Sequence, residues 1–258
     1  MDRGRLSRLV AVAANTYRES VRERVLYNLV FFAMLMTLSG ILLGQLSIRQ
    51  DEKIIKDLGL GAMDLFGTLI AVFIGVRLVS KEIERRSLYA LLSKPLGRIE
   101  FLLGKFAGLA FTLLVNISIM TLALYLTLFA TGHGFEPLLL KAIYPIYLAL
   151  LLTVALALLF STLTSSTLAA VFTVGTVVVG RFSDVIRNMR DVMPEAPGWL
   201  VSVLYYAIPN FRDFDLKDRV VYGDPVETAA LVWVTCYAAL YVVVALWLAL
   251  LAFRTKEL

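Results

Sequence analysis

The sequence predicts an all-α protein that crosses a membrane several times, and three observations carry that reading. Of its 258 residues, 59% are hydrophobic and only 17% are charged. Mean hydropathy is +0.80, well above that of a water-soluble domain, whose core cannot hide so much apolar surface. The apolar residues also fall into runs near the ~20 residues that a helix needs to cross a bilayer.

Six spans are predicted, at about 25–47, 58–79, 104–131, 141–161, 164–181 and 228–253. Ala142 to Gly180 carries no charge and is too long for one span. The polar stretch Ser161 to Thr167 is its only plausible turn, which leaves the fifth span short. The apolar stretch Gly198 to Asn210 is about half the spanning length and is flanked by Pro197 and Pro209; it reads as a re-entrant or interfacial helix.

Before the first span, Leu6, Leu9, Val10, Ala13, Tyr17 and Val21 recur at helical spacing, while Arg5, Arg8, Arg18 and Arg22 take other faces. This pattern predicts an interfacial amphipathic helix within residues 1–24. The arginines and the long apolar run that follows argue against a cleaved signal peptide. Orientation follows from lysines and arginines in the connections. Arg3, Arg5, Arg8, Arg18, Arg22 and Arg24 lead the chain, Arg77, Lys81, Arg85, Arg86, Lys94, Arg98 and Lys105 crowd the second connection, and Arg254 and Lys256 close it. Both termini are therefore expected in the cytoplasm. The long connection 182–227 is expected outside, with short helices.

Residues 80–96 read as a short cytoplasmic helix. Ile83, Leu88, Tyr89, Leu91 and Leu92 are of the buried type, Glu82 and Arg86 are spaced to pair, and Pro95 stops the helix. Its apolar side suits docking on a partner; a solvated topology-setting loop is the plainer alternative. Gly97, Gly104 and Lys105 superficially suggest a nucleotide loop. However, six residues separate the glycines, and Phe106 stands where a P-loop needs a hydroxyl, so no phosphate loop is read here. The single histidine, His133, and single cysteine, Cys236, cannot supply a usual metal cage, and no catalytic constellation appears. Met34, Met36, Met63, Met120, Met189 and Met193 form no dense ligand cluster; methionine in apolar helices is usually packing. Gly104 and Gly108, four apart, read as a close-packing site. Asp64 and Asn116 are the intramembrane polar candidates, and Asp64 is expected to face a subunit interface, a substrate path or the outer head groups.

The stretches NTYRESVRERVLYNLVFFAMLM, KEIERRSLYALLSKPLGR and YYAIPNFRDFD resemble the type-2 ABC transporter permeases, most closely the subgroup named for multicopper-enzyme maturation and gliding. The resemblance covers nearly the whole chain as a single 1–258 permease domain. It implies six spans, an elbow helix over Leu6 to Arg24, and re-entrant helices before the last span. It also implies an ATPase-coupling helix carrying Lys81, Glu82, Ile83, Glu84, Arg85, Arg86, Leu88, Tyr89 and Leu92. Two permease subunits would work in the inner membrane of a prokaryote with two separate cytoplasmic ATPase subunits. ATP and magnesium would bind those partners; this chain would bind no cofactor or nucleic acid, hydrolyse nothing itself, and serve export. The subgroup name does not make copper the substrate. A stand-alone secondary carrier or channel is the runner-up, and a non-transporting assembly factor is a third reading; an adjacent ATPase gene would favour the first.

Overall fold

The computed structural model describes residues 3–22, 31–32, 34–36, 51–84, 97–183 and 208–255. Seven α-helices are described over consecutive stretches: α1 Arg3–Arg22, α2 Asp51–Glu84, α3 Arg98–Ala130, α4 Leu138–Leu163, α5 Ser166–Arg181, α6 Lys217–Val221 and α7 Thr228–Thr255. A 3-10 turn, Phe211–Phe214, precedes α6, and no strand occurs among the described residues. Among the described residues, four helices are long and apolar enough to cross a membrane, over Glu52–Arg77, Ile99–Ala130, Leu138–Leu163 and Thr228–Phe253. The expected first span lies mostly outside the described residues. Of it, residues 31–32 and 34–36 are helical, with Phe32 and Met36 buried and Phe31 edge-on to Phe66 of α2.

α4 is the central helix. It is apolar all round, as a helix surrounded by others must be, and it packs against α2, α3, α5 and α7. Within the helices, hydroxyls such as those of Thr112, Thr153, Ser161 and Thr173 donate to the carbonyl four residues back, which satisfies them without a partner helix. Met36, Met63 and Met120 are fully buried packing residues.

Three helix boundaries differ from expectation by more than a few residues. α3 begins at Arg98 rather than near 104, because Glu100 at its third position accepts from the Gly97 backbone N–H, 3.3 Å away. It ends in a Schellman turn: Gly132 takes φ +85°, its N–H bonds Phe129, and the His133 N–H bonds Leu128. α2 begins at Asp51 and runs without a break through Lys81–Glu84, four residues expected to belong to a separate helix. Nothing between Val79 and Glu84 stops a helix, and Lys and Glu extend one readily. Residues 85–96, including Arg85, Arg86, Leu88, Tyr89 and Leu92, lie outside the described residues.

The ends of the bundle are distinguishable. At one end α1 lies along the first turns of α3, and Phe101 of α3 stacks on Phe253 of α7 at 6.2 Å. At the other end Lys141 of α4 donates to the Val226 carbonyl, and Lys53 of α2 lies over the Tyr222 ring. The N-terminal helix and the end of α7 therefore share one end of the molecule.

Candidate functional site

α5 has 16 residues, so it is about 24 Å long against a hydrocarbon core of about 30 Å. The chain that returns after residue 207 makes up the difference. Pro209 and the 3-10 turn cap the end of α5, where a Cβ on Gly180 would stand 2.4 Å from the Pro209 carbonyl oxygen and 2.7 Å from the Phe211 ring. Only glycine permits that approach. Asn210 organises the cap. Its side-chain oxygen accepts from the Ser183 hydroxyl at 2.6 Å and the Arg212 N–H at 3.0 Å, and its own backbone N–H donates to the Tyr237 hydroxyl of α7 at 2.7 Å. Its amide nitrogen donates to Asp213, whose carboxyl is pushed up by burial.

This cap places α6 against α2 and α4 and closes a buried charge network. Asp64 of α2, only 7% exposed, accepts from both terminal nitrogens of Arg181 at 2.6 and 2.7 Å and from the Lys217 ammonium at 3.1 Å. Arg181 also donates to the Thr68 hydroxyl at 3.3 Å, and Asp215 lies 3.5 Å from Lys217. The bidentate fork is the strong geometry for an arginine–carboxylate pair. Asp64 thus turns into its own subunit, onto cations 117 and 153 residues away in sequence. Next to the network opens a cleft of about 80 Å³, with Ile146 and Ala149 of α4 and the rings of Phe211 and Phe214 as its apolar walls.

Asn116, the other intramembrane candidate, is buried in α3 and donates to the Thr112 carbonyl of its own helix at 3.1 Å. It lies outside the charge network. A second polar knot was not foreseen. Lys56 of α2, 5% exposed, pairs with Glu52 at 2.5 Å and with Glu136 of the α3–α4 connection. It pins the start of α2 to that connection, and its i, i+4 spacing from Glu52 was the one signal available in sequence.

The N-terminal amphipathic helix is present, and its packed face overlaps the expected apolar stripe in part, at Ala13 and Tyr17 among the residues seen to touch α3. Val12, Ala13 and Thr16 sit on Gly104 and Gly108 of α3, where an added Cβ would come within 2.7 Å of Val12 and 2.6 Å of Thr16. Arg8 meets Glu100 at 3.6 Å, Tyr17 packs edge-on to Phe111, and Val10 is left exposed. Contacts that advance together along both helices mean that α1 runs lengthwise beside α3. α3 has 33 residues, about 50 Å, which is longer than a ~30 Å core requires, and α1 lies along its first turns. Buried Lys105 stands 3.9 Å from Glu19 and lies over the Phe101 ring, so it packs between α1 and α3.

A bundle of long apolar helices, with an amphipathic helix docked at one end and a capped short helix at the other, belongs to a multi-pass membrane protein. Residues 10–183, about two-thirds of the chain, match the family described as ABC-2 family transporter protein. The chain belongs to that family, as the membrane subunit of an ABC transporter. No curated protein matches it.

Proposed function

We propose that this chain is the permease of an exporter in the inner membrane of a prokaryote, paired with a second permease subunit and driven by two separate cytoplasmic ATPases. ATP and magnesium bind the ATPases, and this chain hydrolyses nothing. Both termini and the 80–96 connection face the cytoplasm, α1 is the elbow, and residues 208–221 are the returning part of the outer re-entrant segment. The outward direction rests on the resemblance to gliding-type exporters.

The observation that carries the reading is the unbroken course of α2. It passes Arg77, where its apolar stretch ends, and holds Lys81–Glu84 about 6 to 10 Å further out on the same helix. A partner that docks on the adjoining residues can move the whole of α2, and with it Asp64. The carrier reading is disfavoured because Asp64, the ionisable group that ion coupling would use, is already held by Arg181 and Lys217.

The test is co-purification. Interfaces concentrate their energy in a few buried contacts, often at least ~2 kcal/mol each, and a charge in an apolar groove is costly. Replacing Leu88 and Tyr89 together by Asp is expected to abolish association with the ATPase while membrane abundance holds. An ATPase retained as tightly as by the parent would refute docking through this segment.

A further inference from the structure

α2 and α5 meet in two chemically different ways. At one level, Val72 and Val76 of α2 pack with Ala157 of α4 and Ala169 of α5 in a buried apolar cluster. At another, Asp64 of α2 takes the guanidinium fork of Arg181, which also donates to Thr68. The fork lies about 12 Å from that cluster along α2 and about 18 Å from it along α5.

The parts on either side of the fork pack as units. α2 is seated on α4: a Cβ on Gly67 would stand 2.7 Å from Leu150, and one on Gly75 2.9 Å from Ala157. The cap goes with α5, because Pro209 and Phe211 close on Gly180. Phe211 and Phe214 also share a buried cluster with Val177 of α5 and with Leu148 and Leu152 of α4. α6 belongs instead to the main core beside α2, through Val220 and Val221. Asp215 and Leu216 alone link the 3-10 turn to α6.

The surfaces at the fork are the ones that can part. Packed interiors leave few voids larger than a water molecule, yet a cleft of about 80 Å³ lies beside Asp64, with Ala149 of α4 in its wall. Parting apolar surfaces forfeits their packing. Parting an ion pair into water exchanges pairing for hydration, two large and opposing contributions. Arg181, the last residue of α5, is already about one-third exposed.

We propose that α5 and its cap swing away from α2 as a body, hinged at the Val72–Ala169 contact and at Asp215–Leu216, with the Asp64–Arg181 fork as the latch. Opening widens the existing cleft into a wet gap that reaches the level of Asp64. Lys217 stays with α2 and keeps Asp64 paired when Arg181 leaves, so the open form holds no isolated carboxylate. The gate belongs to this chain alone and needs neither substrate nor ATPase, so its failure leaves the transporter reading intact.

The test measures labelling rates of single cysteines in the full chain, in neutral detergent and a Cys236→Ala background, with a small neutral thiosulfonate. Ala149→Cys reports the cleft, and Ala169→Cys, fully buried, reports the hinge. Asp64→Asn and Arg181→Gln, made separately, are each expected to speed labelling of Ala149→Cys at least about tenfold and to leave Ala169→Cys within about twofold, as for the loss of one charge-assisted contact. Loss of an acid raises the thiolate fraction of a nearby cysteine and loss of a cation lowers it. Acceleration by both variants therefore reports opening, and Arg181→Gln alone decides if Asp64→Asn does not fold. Equal acceleration at both cysteines would mean a bundle loosened throughout and overturns the hinge. A parental rate at Ala149→Cys in folded Arg181→Gln overturns the latch. Should Arg181→Gln not fold, salt raised from about 50 mM to about 1 M weakens the intact, partly exposed pair, and an unchanged rate at Ala149→Cys overturns the proposal.

Discussion

Asp64 illustrates what a buried charge requires. Removing a carboxylate from water costs several kcal/mol, and only opposite charges in good geometry offset it. Arg181 and Lys217 supply that geometry from α5 and α6, so the pair joins three elements as well as neutralising charge. Asp64→Asn leaves Arg181 without its carboxylate and Lys217 with Asp215 alone. The expected loss of stability is about 2–3 kcal/mol, below the usual 3–5 for a buried pair because Arg181 is about one-third exposed and water screens it. Thermal unfolding in detergent measures it. Adding Arg181→Gln should cost less than the sum of the singles by at least ~1 kcal/mol, as expected for groups in contact. Additivity within ~0.5 kcal/mol would mean that the fork contributes nothing. The sequence marked Asp64, because an ionisable residue in an apolar run is conspicuous. It did not reveal the partners, since Arg181 reads there as the first charge of an outer loop and Lys217 as one more charge in a balanced one. Only the shortness of α5 brings them down to the depth of Asp64.

At the scale of elements, close approach between backbones sets the packing. Without a hydrophobic drive between helices in lipid, association depends on small residues that let surfaces meet. Gly104 and Gly108 were legible as such a site from their spacing. That α1 fills it was not, because the face that meets the glycines, Val12, Ala13, Thr16 and Ser20, is small and partly polar and shares only Ala13 with the predicted apolar stripe. Thr16 and Ser20 close that face by donating to the carbonyls of Val12 and Thr16. Gly108→Leu puts carbon against the Ala13 carbonyl oxygen, 2.6 Å from its Cβ, and a backbone cannot yield as a side chain can. The expected outcome is that α1 lifts from α3 while the spans remain inserted. Thr16→Cys in a Cys236→Ala background, protected in the parent, should become reactive toward a thiol reagent in permeabilised cells. Equal protection in both would show that α1 is held elsewhere. The helix content and most span positions were legible because apolar runs of spanning length have few other uses. The boundaries at Arg98 and Glu84 were less so, because a capping glutamate or a missing breaker matters only once the helix forms.

For the whole molecule, helix lengths and end contacts constrain how the chain threads the bilayer. α1 and the end of α7 share one end through the first turns of α3, by way of Arg8–Glu100 and Phe101–Phe253. α1 and the end of α7 therefore belong on one side, and we propose, from the excess of Lys and Arg at that end, that this side is the cytoplasm. The opposite end holds Lys53, Lys56, Glu52 and Glu136 in mixed-sign clusters, which carry no such bias. Single cysteines at Arg8 and Lys256, in the Cys236→Ala background, are thus expected to resist an impermeant thiol reagent in intact cells and to react once the membrane is opened. A cysteine at Glu195, in the long connection before α7, is expected to react from outside. The two terminal positions test different things. Labelling of Arg8→Cys and Lys256→Cys together from outside would preserve the common end and reverse the orientation that the charges assign. Labelling of Lys256→Cys alone would separate the ends that Phe101 and Phe253 bring together, and the arrangement of α7 against α3 would be wrong.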